Sequence, residues 1–126
     1  MPFPWMLHRL LPFGRSSEIL AAKYLRSQGY RIAASGFRVK EGEVDLIAWD
    51  GEILVFVEVK SLRSSNAPED AVTHTKKQRI GRAARAYIAR HKLHESPYRF
   101  DVVAINRPED GEPQIRLNRD AFRVSN

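Results

Sequence analysis

Three features of this 126-residue chain predict an α/β fold. Helical apolar periodicity occurs twice, short strand-like apolar runs occur five times, and one pair of those runs is joined by an Asp-Gly turn signal. The element order read from them is α-β-β-β-α-β-β, in a single domain over residues 14–126. Residues 1–13 precede it as an arm expected to be loosely ordered.

Each element has a local cause. "GRSSEILAAKYLRSQGY" reads as a helix capped by Ser16 or Ser17 and closed at Gly29. "YRIAASGFRV" alternates as a strand with a break at Gly36. "GEVDLIAWDGEILVFVEVK" is a hairpin turning at Asp50-Gly51. "LRSSNAPED" is a polar loop, and from about Val72 to Arg90 a helix places Ile80, Ala84, Tyr87 and Ile88 on one face. "YRFDVVAIN", the turn "PEDGEP" and "QIRLN" supply the last two strands.

Composition excludes several classes. The chain has no cysteine, which removes disulfide scaffolding, thiolate zinc sites and cysteine nucleophiles and makes a cytoplasmic address the expectation. The apolar start "MPFPWMLHRLLPF" is interrupted by two prolines, His8 and Arg9, so neither a signal peptide nor a membrane span is expected. A net charge of +6 and a pI near 10.0 suit a polyanionic partner.

The hairpin carries charges where apolar residues are expected. With Asp50 and Gly51 as a two-residue loop, Trp49 faces Glu52, Asp45 lies opposite Phe56, and Glu43 lies opposite Glu58. One face then holds Val44, Leu46, Ala48, Ile53, Val55, Val57 and Val59. The other is apolar near the turn and charged at the open end, with Glu43, Asp45, Glu58 and Lys60. Such charges also suit a hairpin end emerging into water, with Lys60 paired to Glu43 or Glu58. Glu18 shares a helical face with Ala21, Ala22 and Leu25, so it too is expected to point inwards, although an acid in a first helical turn has its own electrostatic reason. Inward carboxylates beside a lysine, without softer ligands, match the needs of a magnesium or manganese ion acting on a phosphate.

The residues carry a family resemblance. "GEVDLIA" followed thirteen residues after its aspartate by "EVK" resembles the divided Asp and Glu-x-Lys signature of restriction-endonuclease-like nucleases. With "SSEILAAKYLRSQGY", "AVTHTKKQRIGRAARAYIA" and "RFDVVAI", the chain is similar to the YraN or UPF0102 family, which resembles archaeal Holliday junction resolvases. The resemblance implies a restriction-endonuclease-like core, a central mixed sheet flanked by helices. It also implies that Asp45 and Glu58 are metal-binding carboxylates, Glu18 a helix-borne acid joining them, the Val59 carbonyl a further ligand and Lys60 the catalytic lysine. A homodimer follows only by analogy.

The second helix adds a cationic face. No acid occurs from Ala71 through His94, while Lys76, Lys77, Arg79, Arg82, Arg85, Arg90 and Lys92 do. Arg79, Arg82, Arg85, Arg90 and Lys92 project away from the core face, and Lys76 and Lys77 flank its first turn, from where they can reach a phosphate near the carboxylates. These form the expected nucleic-acid contact, to DNA in particular, by shape more than by sequence. His91 and His94 find no third ligand in the pattern, and Asp101 fits either an ion pair with Arg99 or a site role. The reading is a magnesium- or manganese-dependent endonuclease-like protein acting on structured or branched DNA. Its alternative is a binding module with the same fold that cuts nothing.

Overall fold

The structure is a computed structural model and describes residues 13–62, 72–108 and 110–124. Helix α1 spans Phe13–Ser27, followed by strands β1 (Arg31–Val39), β2 (Gly42–Asp50) and β3 (Ile53–Leu62). Helix α2 spans His74–Arg90, and strands β4 (Tyr98–Asn106) and β5 (Gln114–Phe122) complete the chain. The α-β-β-β-α-β-β order is the expected one. Residues 1–12 of the expected arm and most of the "LRSSNAPED" loop lie outside the described residues, while the arm's last residue, Phe13, opens α1.

The five strands form one sheet in sequence order. β3 and β4 pair in parallel, joined by the crossover that contains α2, and every other pairing is antiparallel. The sheet is therefore mixed, and alternation along its strands feeds two apolar layers. On one face Ala21, Ala22 and Leu25 of α1 pack on Leu46, Ala48, Val55, Val57, Val103 and Ile105. On the other Ile80, Ala83, Ala84 and Tyr87 of α2 pack on Val44, Ile47, Leu54, Phe56 and Val102. Burying a strand on both faces explains why β3 reads as a nearly continuous apolar run.

Two details of the hairpin differ from expectation. Asp50 pairs with Ile53, so the loop is Gly51-Glu52 and not Asp50-Gly51. Gly51 then takes the first loop position with φ 61°, the position at which a type II′ turn favours glycine. The register moves by two residues. An even shift preserves which side each chain faces, so the assignment of Glu58 and Lys60 to the side of Phe56 survives.

Val44, however, joins Ile47 on the α2 side and not Leu46 on the other. Ala34 and Phe37 of β1, which pair with Ile47 and Val44, also both pack on that side. Between these pairs lie Asp45 and Gly36, the latter with φ 65°. Strict alternation cannot put residues three apart on one face, so both strands kink here, and the glycine accommodates it.

Ser16 and Ser17 do not cap α1, which begins earlier, at Phe13. Ser17 is buried, and its Oγ accepts a hydrogen bond from Arg107 Nη2 at 3.1 Å. α2 has the expected polar cap: Thr73 is extended and its side chain accepts from Lys76 N at 3.1 Å.

Candidate functional site

The ladder between β2 and β3 runs from Asp50↔Ile53 to Leu46↔Val57. Beyond it the Asp45 side chain takes over, its Oδ2 accepting from Val59 N at 2.8 Å. A carboxylate thus stands where a main-chain carbonyl would otherwise serve, which satisfies the strand and fixes the aspartate's orientation. The kink at Gly36 and Asp45 lies at the same point.

Glu58 follows Phe56 on the α2 side and is only 2% exposed. Two ammonium groups meet its Oε2: Lys60 Nζ at 3.3 Å from β3, and Lys76 Nζ at 3.5 Å from the first turn of α2. Burial, and then the neighbouring charge of Asp45, push the Glu58 carboxyl up to about 7. Lys76 and Lys60 pull it the other way and only partly offset those effects. α2 has no acid in its own first turn, so Glu58 is an acid brought to that helix end from the sheet.

The remaining expected residues separate. Glu43 is drawn towards Arg38 at 3.7 Å and Arg79 at 3.8 Å. Glu18 is half-buried and lines a cleft of about 290 Å³ between α1 and β1 with Ala22, Arg26, Ser35 and Leu46. Among the described residues no three His, Asp or Glu side chains gather closely enough to hold one metal ion. The three-acid convergence of Glu18, Asp45 and Glu58 is therefore reduced to the pair Asp45 and Glu58. A pair still fits a hard cation, because magnesium keeps several waters and commonly takes one or two protein carboxylates. Two adjacent carboxylates, one of them buried, supply the oxygen donors that such an ion prefers.

The cationic face of α2 is partly engaged. Arg79, Arg82 and Arg85 are exposed as expected, but Arg79 leans on Glu43 and Arg82 Nη1 donates to the Glu41 carbonyl at 3.2 Å. Lys77 lies 5.4 Å over the Phe122 ring. His91 stacks on Tyr87 with ring centroids 4.0 Å apart, and its Nδ1 lies 3.0 Å from the Tyr87 carbonyl, a helix-end role.

A second charged cluster serves structure. Asp101 is fully buried and receives Tyr30 Oη at 2.8 Å, Arg99 Nε at 2.9 Å and Asp120 N at 2.9 Å. Arg99 Nη2 also reaches Asp50 Oδ2 at 2.8 Å. Burial pulls the Arg99 guanidinium down, but its hydrogen bonds to Asp101 and Asp50 outweigh that and hold it above its ordinary value. Burial, and then Asp101, raise Tyr30. Of the two readings of Asp101, the ion pair with Arg99 is the one observed. The sequence did suggest that pair, but nothing local announced Tyr30, 71 positions away.

The family model described as "Uncharacterised protein family UPF0102" matches residues 17–105. The chain belongs to UPF0102. It is 45% identical over 113 residues to a UPF0102 protein of Symbiobacterium thermophilum, covering 88% of this chain and 96% of that relative. A UPF0102 protein of Rhodococcus opacus is 44% identical over 119 residues, 93% of this chain and all of its own length. One from Geotalea uraniireducens is 41% identical over 114 residues, 89% of this chain and 90% of the relative. The UPF0102 match contains most of α1, the kinked hairpin and α2, and so includes every residue that meets at Glu58.

Proposed function

We propose that this protein is a magnesium- or manganese-dependent endonuclease acting on structured or branched DNA. The observation that supports this best is the buried Glu58 beside the half-buried Asp45, with Lys60 on Glu58, at the open end of the β2–β3 hairpin. Asp45 and Glu58 would hold the ion, with the Val59 carbonyl as a further donor. Once bound, such an ion activates water and neutralises charge on the phosphate. Lys60 would orient the attacking water or stabilise the charge that develops on the phosphate. Lys76, Lys77, Arg79, Arg82 and Arg85 would hold the backbone, giving affinity without sequence preference. Cutting both strands of a junction takes two such sites, which a homodimer would supply.

A second reading has its own support. Lys60 and Lys76 already share Glu58, so the pair is partly charge-balanced without any added ion, as a binding module that cuts nothing would require. Purified protein incubated with four-way junction DNA and either metal separates the two. The nuclease reading expects metal-dependent cleavage that Asp45→Ala reduces by at least about a thousandfold while junction binding stays within a fewfold. Undiminished cleavage by Asp45→Ala would remove Asp45 from the mechanism, and binding without cleavage by the unaltered protein would favour the module.

A further inference from the structure

We infer that Lys76 is an exchangeable internal counterion: it holds Glu58 while no divalent cation is present and swings away from the pair when one binds. The inference rests on the metal-site reading above and adds to it a means by which the site tolerates both states.

The geometry is that of a shared and loose contact. Two ammonium groups meet one oxygen, Glu58 Oε2, at 3.3 and 3.5 Å. Both distances exceed the roughly 2.8 Å of a tight charge-assisted hydrogen bond, and the two cations repel each other. One lysine would suffice to pair one carboxylate. A divalent ion on the same carboxylates adds two further positive charges, and one ammonium must then give way.

The two lysines are not equally held. Lys60 stands on β3, whose backbone there pairs with Ala104 of β4, and it is tied to the same strand as its partner. Lys76 reaches Glu58 from another element, on a flexible four-carbon stem, and is the more exposed of the two, 31% against 21%. It has the way out to water. Its departure also leads towards the outward side of α2, where Arg79 and Arg82 stand, so the freed charge would face an incoming phosphate.

The test is manganese binding by the full chain without nucleic acid, followed by calorimetry. Lys76→Gln should bind the ion about tenfold more tightly than the unaltered protein, because a competing cation has been removed. Lys23→Gln removes the same charge from an exposed site on α1 and should change the affinity less than about twofold. Lys76→Met, which keeps the apolar stem, should match Lys76→Gln and serves if the latter does not fold. Unchanged or weaker binding by folded Lys76 variants would overturn the exchange and leave Lys76 a fixed partner of Glu58. Should the unaltered protein and Lys76→Gln both be folded and both bind no manganese, the exchange and the metal-site reading would fall together. Binding that is lost in Glu58→Gln yet unaffected by Lys76→Gln would refute the exchange alone.

Discussion

Glu58 sits in a place that favours its neutral form, since water is excluded and Asp45 is adjacent, yet two lysines point at it. The consequence for stability has a definite sign. Its carboxyl is raised from 4.5 to about 7 in the folded chain, so between those pH values the folded state holds a proton that the unfolded state has lost. Stability of the metal-free protein should therefore fall as pH rises across that window and level off above it. The loss attributable to this one group is about 3 kcal/mol at most. Denaturant unfolding in a chelator at pH 5 and pH 8 checks this: Glu58→Gln should lose the pH-dependent difference and be the more stable protein at pH 8. A parallel pH response in both proteins would mean the lysines keep Glu58 ionised throughout. Arg99 and Asp101 illustrate the opposite arrangement, a buried charge whose partners are complete.

At the level of elements, the β1–β2 turn is clamped to α2. A Cβ on Gly42 would lie 2.9 Å from Ala83 N and 3.0 Å from the Arg79 carbonyl, both main-chain atoms that have no side-chain freedom to retreat. The same turn receives Arg82 at the Glu41 carbonyl and brings Glu43 to Arg79. Gly42→Ala should accordingly cost about 1–3 kcal/mol in thermal unfolding, and an unchanged melting temperature would show that the turn lifts freely. This contact also marks what the sequence could and could not disclose. Helix and strand types, the face of α2 that packs, and the side of the sheet taken by Glu58 and Lys60 were all legible, because they follow from periodicity within one segment. The Gly51-Glu52 loop was not, since Asp50 is recruited by Arg99 from a distant strand. Nor was the kink that moves Val44 across the sheet, because it depends on Gly36 and Asp45 being neighbours on paired strands.

Considered as a whole molecule, the chain carries a net charge of +6, and the outward side of α2 collects exposed cations. If these meet phosphates, junction affinity should weaken steeply with salt, and replacing Arg79, Arg82 and Arg85 by Gln should flatten the slope of log affinity against log salt by about 2–3. An affinity indifferent to ionic strength would dismiss phosphate contact. The candidate site was only partly visible in the sequence for a related reason. Asp45, Glu58 and Lys60 share one hairpin, so their proximity was encoded within nineteen residues of chain, Gly42 to Lys60. The approach of Lys76 to Glu58, and the failure of Glu18 to complete a three-acid group, depend on how two helices settle on opposite sides of the sheet.

The Asp101 cluster bears on where this protein ends as a folding unit. The family match stops at Ile105, but the amide that completes Asp101 belongs to Asp120, and Phe122 stacks on Phe100 at 5.3 Å between ring centroids. A version trimmed to the matched stretch would forfeit that donor and strip one edge from β4, leaving an interior anion short of a partner and an unshielded border open to self-association. The closing strand is thus part of the minimal protein, and excised forms meant to isolate the shared region should retain it.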